Sequence, residues 1–169
     1  MRRLIFISFL LLFVSCEDWR HRRYPIHLVN NSEFAISSYF ALGGGTWNSA
    51  SVFPDTTISF ERSMVDRERP GGRPILPGGH TVMDLHIHSW ERWFELWLPQ
   101  DTLSIFIFNH AVLNRFPWSV IQQDYMVIKR YDLSLDDLRR LHNRFGVPEI
   151  PFPPDERMRD MRMFPPFGE

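Results

Sequence analysis

The chain has 169 residues, 44% hydrophobic and 15% aromatic, with 19 basic against 20 acidic side chains and a formal net charge of −1. That length suits one domain with a real core and falls short of a β/α barrel, which takes about 200 residues or more. The near-neutral balance gives no electrostatic case for nucleic acid, which asks for a strongly basic face.

At the N-terminus Arg2 and Arg3 precede an unbroken apolar or small stretch, residues 4–14, and then Ser15-Cys16. Positive charge followed by a short apolar run is the pattern of a secretory signal. A transmembrane helix needs about 20 apolar residues, and Glu17 and Asp18 end this run well short of that. Residues 1–15 therefore read as a signal peptide that is removed, not as a span. A small residue directly before a cysteine at the end of such a run is what lipoprotein signal peptidase recognises. Cleavage is expected between Ser15 and Cys16, with lipid on the Cys16 thiol, although Phe13 stands where Leu is usual. Cys16 is also the only cysteine in the chain, whereas exported chains of this size often carry pairs for disulfides. Each buried CH₂ contributes about 0.8 kcal/mol, so two or three palmitate-type acyl chains on one residue suffice as an anchor. The expected location is the cell envelope at the outer membrane, with the periplasmic or surface face left open.

Residues 16–24 are charged and read as a tether. Residues 26–29 and 34–42, separated by Asn30-Asn31-Ser32, read as two strands joined in a hairpin. Residues 56–60 read as a third strand, followed by a polar loop carrying Pro70-Gly71-Gly72 and Pro77-Gly78-Gly79. Residues 81–88 alternate, with Met83, Leu85 and Ile87 on one side and Val82, Asp84, His86 and His88 on the other, as in a half-buried strand. From Ser89 the period changes: Trp90, Trp93, Phe94 and Trp97 fall on one helical face, Ser89 suits the N-cap, and Pro99 suits the stop.

Residues 103–108 are apolar on both faces apart from Ser104, as in a central strand covered on both sides. Pro117 suits a first helical turn, with Trp118, Ile121 and Tyr125 following at helical spacing, and residues 125–131 allow a strand to begin where that helix ends. Ser134 with an acidic residue three positions on opens a last helix striped by Leu135, Leu138 and Leu141. The predicted domain is α+β over residues 25–154, a mixed sheet of about six to seven strands with three short helices; an Ig-like β-sandwich is the alternative. Residues 155–169 are rich in Pro, Met and charge and read as a disordered tail.

Two stretches carry possible chemistry. Asp84, His86 and His88 place an oxygen and two imidazoles along one strand face, a spacing that can share a metal. With Ile75-Leu76-Pro77-Gly78-Gly79 upstream, this resembles the strand-one metal motif of the amidohydrolase family, but the chain beyond His88 is too short for the remaining strands of that barrel. The simpler reading is the polar face of an amphipathic strand, and a metal-binding protein or metal-dependent hydrolase stays an alternative only. The aromatic cluster of Trp90, Trp93, Phe94, Trp97 and Trp118 could stack sugars, yet its helical period favours core packing. Gly43-Gly44-Gly45 lacks the strand, helix and lysine context of a phosphate loop and reads as a turn.

Several stretches together resemble a family of uncharacterised lipoproteins from Bacteroidetes: Ile26-His27-Leu28-Val29-Asn30-Asn31-Ser32, Pro54-Asp55-Thr56, Trp90-Glu91, Asp101-Thr102-Leu103-Ser104-Ile105-Phe106-Ile107-Phe108, Arg130-Tyr131-Asp132-Leu133-Ser134-Leu135-Asp136-Asp137-Leu138 and Pro153-Pro154. The resemblance runs from Cys16 to about Pro154. It implies an envelope protein in which acidic residues after the lipidated cysteine, here Glu17-Asp18, favour export to the outer surface, while the basic run at residues 20–23 departs from that signal. It implies no assigned activity. The sequence thus predicts a lipid-anchored envelope protein without enzymatic activity or cofactor, in a binding or structural role, whose partner is an envelope protein or a glycan.

Overall fold

A computed structural model describes residues 24–41, 58–65, 73–85 and 89–169 of the chain. Ser15 and Cys16, the Gly43–Gly45 run, and His86 and His88 lie outside these residues. The described strands number seven and divide between two sheets. In the first, β1 (Tyr24–Asn30) lies between β3 (His80–Leu85), to which it is antiparallel, and β6 (Glu149–Phe152), to which it is parallel. The second is antiparallel throughout, in the order β2 (Ile36–Ala41), β4 (Leu103–Asn109), β5 (Lys129–Leu133), β7 (Met163–Phe164).

The alternation of β4 explains why two sheets and two cores form. Leu103, Ile105 and Ile107 face the core shared with Ile26 and Leu28 of β1 and Ile150 of β6. Phe106 and Phe108 point the other way, into a second core with Tyr39, Phe60, Leu113 and Ile121. The expectation of a central strand covered on both faces holds. Burying each such side chain contributes about 1.5–3 kcal/mol, which fixes β4 as the centre of the molecule.

Helices fill the connections: α1 (Arg62–Val65), α2 (Trp90–Trp97), α3 (His110–Arg115), α4 (Trp118–Gln123) and α5 (Leu135–Arg140). The ends of α2 and α5 are set by local chemistry. Ser89 accepts the Arg92 N–H at the start of α2, and Pro99 follows just beyond its end. Ser134 and Asp137 form a reciprocal capping box on α5, with the Asp137 N–H donated to the Ser134 hydroxyl at 3.1 Å and the Ser134 N–H to the Asp137 carboxylate at 2.9 Å. Among the described residues no helix is long and apolar enough to cross a membrane.

The fold is α+β, and the parallel β1–β6 pair with its interleaved helices sets it apart from the Ig-like alternative. Three local expectations are corrected. First, β1 and β2 do not form a hairpin; they belong to different sheets. The cause is Asn30, fully buried, whose side-chain amide donates to the carbonyls of Phe34 and Ile75 at 2.8 Å each, so the turn crosses between sheets and ties down the 75–79 segment. Second, within residues 56–60 the described part, from Ile58 to Phe60, is not strand: Ile58 and Phe60 are buried under α4, where Gln122 donates to the Ile58 carbonyl at 2.9 Å.

Third, residues 155–169 are not a solvated tail. Met158, Met161 and Met163 are buried in the main core, and β7 adds an edge strand to β5. Lys129, the only lysine of the chain, donates from Nζ to the main-chain oxygens of Pro165 at 2.9 Å, Pro166 at 3.2 Å and Glu169 at 3.0 Å. Proline density limits helix and sheet to short pieces without blocking packing, and three methionines supply enough apolar surface to dock a largely irregular segment.

Candidate binding groove

The described residues form a groove between α2 and α5. Both helices are short and turn one apolar edge to the core, Trp90 and Phe94 on α2 and Leu138 on α5. Their neighbouring edges leave a cleft in two compartments. One, about 320 Å³, is mostly apolar, walled by Tyr24, Pro25, Trp90, Leu135, Leu138, Phe145, Val147 and Pro148, with Glu91, Arg139 and His142 at its edge. The other, about 420 Å³, is lined by Glu91, Phe94, Glu95, Asp101, Ser134, Leu135, Asp136 and Arg139. Glu91, Leu135 and Arg139 belong to both compartments.

The lip of the apolar compartment is built by the loop after α5. Asn143 holds it with its side-chain oxygen, which accepts the N–H groups of Phe145 at 2.9 Å and Val147 at 3.1 Å. Gly146 sits there at φ +75°, a left-handed conformation that favours glycine. The consequence is that Phe145 stands out, 74% exposed, beside the cavity it lines. At the other end, Gln100 and Asp101 both adopt left-handed backbone at φ +50° and +51°, so Asp101 is held on the rim by a backbone turn that non-glycine residues seldom take.

Electrostatically the second compartment is acidic, with Glu91, Glu95, Asp101 and Asp136 against Arg139. Arg139 donates to Asp136 at 2.8 Å and to Glu91 at 3.4 Å. A hydrogen bond from its own backbone N–H holds the Glu91 carboxyl below the usual carboxylate range, with Ser89 and Arg139 adding to the effect. Glu95 and Asp101 have no ion pair among the described residues.

Other polar groups are structural. Arg130 is fully buried in β5, donates from Nε to Asp132 at 2.9 Å and lies over the Phe106 ring at 5.0 Å; Asp132 also accepts the Ser104 hydroxyl at 2.5 Å. Ser37, His110 and Asn114 form a chain, with 3.0 Å between Ser37 Oγ and His110 Nδ1 and 3.1 Å between His110 Nε2 and Asn114 Nδ2. That order resembles a nucleophile and base, but Ser37 is only 3% exposed inside β2 and offers no approach to a substrate.

The residues singled out in the sequence fare differently. Asp84 lies on β3 opposite Pro25, and the described residues contain no group of three or more His, Cys, Asp or Glu side chains placed to hold one metal ion. Of the four described tryptophans, Trp90 is buried, Trp93 and Trp118 are partly buried, and Trp97 alone is exposed, at 45%. Its ring lies 6.0 Å from that of Trp93 with a 31° tilt, so these two rings do not form a flat platform toward solvent. The groove has no single sequence signature: its walls come from β1, α2, α5 and the 142–148 loop, and only the apolar stripes of the two helices hint at it. Comparison with protein-family models, with curated proteins and with solved structures gives no match.

Proposed function

We propose that this chain is a cell-envelope lipoprotein, anchored through lipidated Cys16 once residues 1–15 are removed, whose α+β domain binds a partner in the α2–α5 groove and catalyses no reaction. The observation that carries the reading is the place of Tyr24, which begins β1 and lines the apolar compartment. Only residues 17–23 separate it from Cys16. A fully extended chain covers about 3.5 Å per residue, so Tyr24 stays within roughly 30 Å of the anchoring residue. A groove on so short a leash works close to the lipid surface, where its partners are other envelope components. The resemblance to Bacteroidetes lipoproteins supports the same location.

Envelope fractionation tests the anchor. The parent protein is expected in the outer-membrane fraction and to resist extraction by high salt, with the Cys16→Ser protein losing that association. Equal retention of both proteins would contradict the reading.

A further inference from the structure

We infer that the groove takes a cationic peptide segment in which an aromatic or aliphatic side chain neighbours arginine or lysine. The inference rests on the groove being the binding surface, and its basis is the unequal chemistry of the two compartments. The apolar one, walled by Trp90, Leu138 and the exposed Phe145, suits one bulky side chain desolvated against aromatic rings.

Among the described residues the other compartment carries Glu91, Glu95, Asp101 and Asp136 around a single guanidinium, Arg139. Arg139 is already shared between Asp136 and Glu91, which leaves Glu95 and Asp101 facing the cleft without a cation among the described residues. An anionic ligand would meet an excess of carboxylates there, and a neutral sugar would leave them uncompensated. A ligand cation satisfies them, and it reaches them when its apolar neighbour occupies the first compartment, because Glu91, Leu135 and Arg139 border both. An extended peptide advances about 3.3 Å per residue and turns alternate side chains to the same face, so an apolar side chain and a cation two positions apart can fill the two compartments together.

The test is calorimetric titration of the full lipidated protein, carried in phosphatidylcholine nanodiscs, with three capped heptapeptides that hold glycine at every second position and alternate Arg with Trp, Glu with Trp, or Arg with Ser at the others. The Arg/Trp peptide is expected to bind at least tenfold more tightly than either of the others and to weaken as salt rises. Glu95→Lys and Phe145→Ala, both at exposed positions, are each expected to weaken it at least fivefold without changing the thermal transition. Equal or tighter binding of the Glu/Trp peptide, or Arg/Trp binding indifferent to both substitutions, would overturn the inference. If the Glu/Trp peptide or an oligosaccharide binds instead and is lost on Phe145→Ala, the ligand class is wrong while the groove stands. The Cys16→Ser protein titrated alongside separates both from the question of the anchor.

Discussion

Arg139 reaches from α5 to Glu91 on α2 at 3.4 Å, a contact that crosses the groove and marks the boundary between its compartments. Both side chains are about half exposed, and ion pairs in that setting contribute little to folding because water screens them and two long side chains lose freedom. The contact therefore matters more for what the groove admits than for what holds the fold.

Arg139→Ala is accordingly expected to leave the melting temperature within about 2 °C of the parent while tightening binding of the Arg/Trp peptide severalfold, since two further carboxylates are released to the ligand. Thermal unfolding followed by circular dichroism, beside the same titration, reads both. Weaker cation binding in this variant would contradict the electrostatic account.

The opposite balance holds at Arg130 and Asp132, which are both buried in β5. Asp132→Ala removes the carboxylate to which Arg130 and Ser104 both bond and is expected to cost about 3–5 kcal/mol in urea unfolding. Replacing both charges together, as Arg130→Met with Asp132→Leu, is expected to cost much less than Asp132→Ala alone, because no buried charge is then left behind.

Tyr131 gives the alkaline limb of stability. Its hydroxyl donates to the Pro151 carbonyl at 2.9 Å, and burial, reinforced by nearby Asp155, pushes its ionisation well above the ordinary value of 10.0. The folded state thus keeps a proton that the unfolded state releases. Its contribution is complete below pH 10 and falls as pH rises beyond it. Lys129 acts in the reverse sense: burial lowers its ionisation below 10.5, so its contribution grows as pH rises toward that value. Tyr131→Phe is expected to cost about 1 kcal/mol at pH 7 and to flatten the loss of stability between pH 10 and 11, as read by urea unfolding at each pH. An unchanged alkaline slope would count against this assignment.

The C-terminal segment is tested by size of effect. Met158 is fully buried, so Met158→Ala is expected to destabilise by about 2–5 kcal/mol, whereas Asp160→Ala, at an exposed position, should be nearly neutral. Truncation after Pro154 is expected to abolish the cooperative urea transition, since it removes three core methionines and β7 together. A truncated protein as stable as the parent would restore the solvated-tail reading.

Features set by neighbours in sequence are legible in the sequence alone. The Ser89 cap, the Ser134–Asp137 box and the two-faced apolar run of β4 each depend on a few residues and follow from period and capping chemistry. Partnership between strands was not legible. Asn30-Asn31-Ser32 looks like a hairpin turn, but the buried Asn30 amide bonds Ile75, forty-five residues away, and no local pattern encodes that. The 155–169 segment misled for a related reason, because its prolines speak of secondary structure and its methionines of packing. The groove lay furthest from view. Of the aromatic face read as core, Trp90 and Phe94 are buried while Trp93 is half-buried and Trp97 exposed, and that helix edge becomes a cleft wall only once α5 and the Asn143-held loop stand beside it.

The mature N-terminus is the most direct test of anchoring through Cys16. Mass spectrometry of the protein purified from envelopes is predicted to find a chain beginning at Cys16 and carrying a diacylglyceryl group with a further acyl chain. An intact Met1 terminus with an unmodified Cys16 thiol would contradict it.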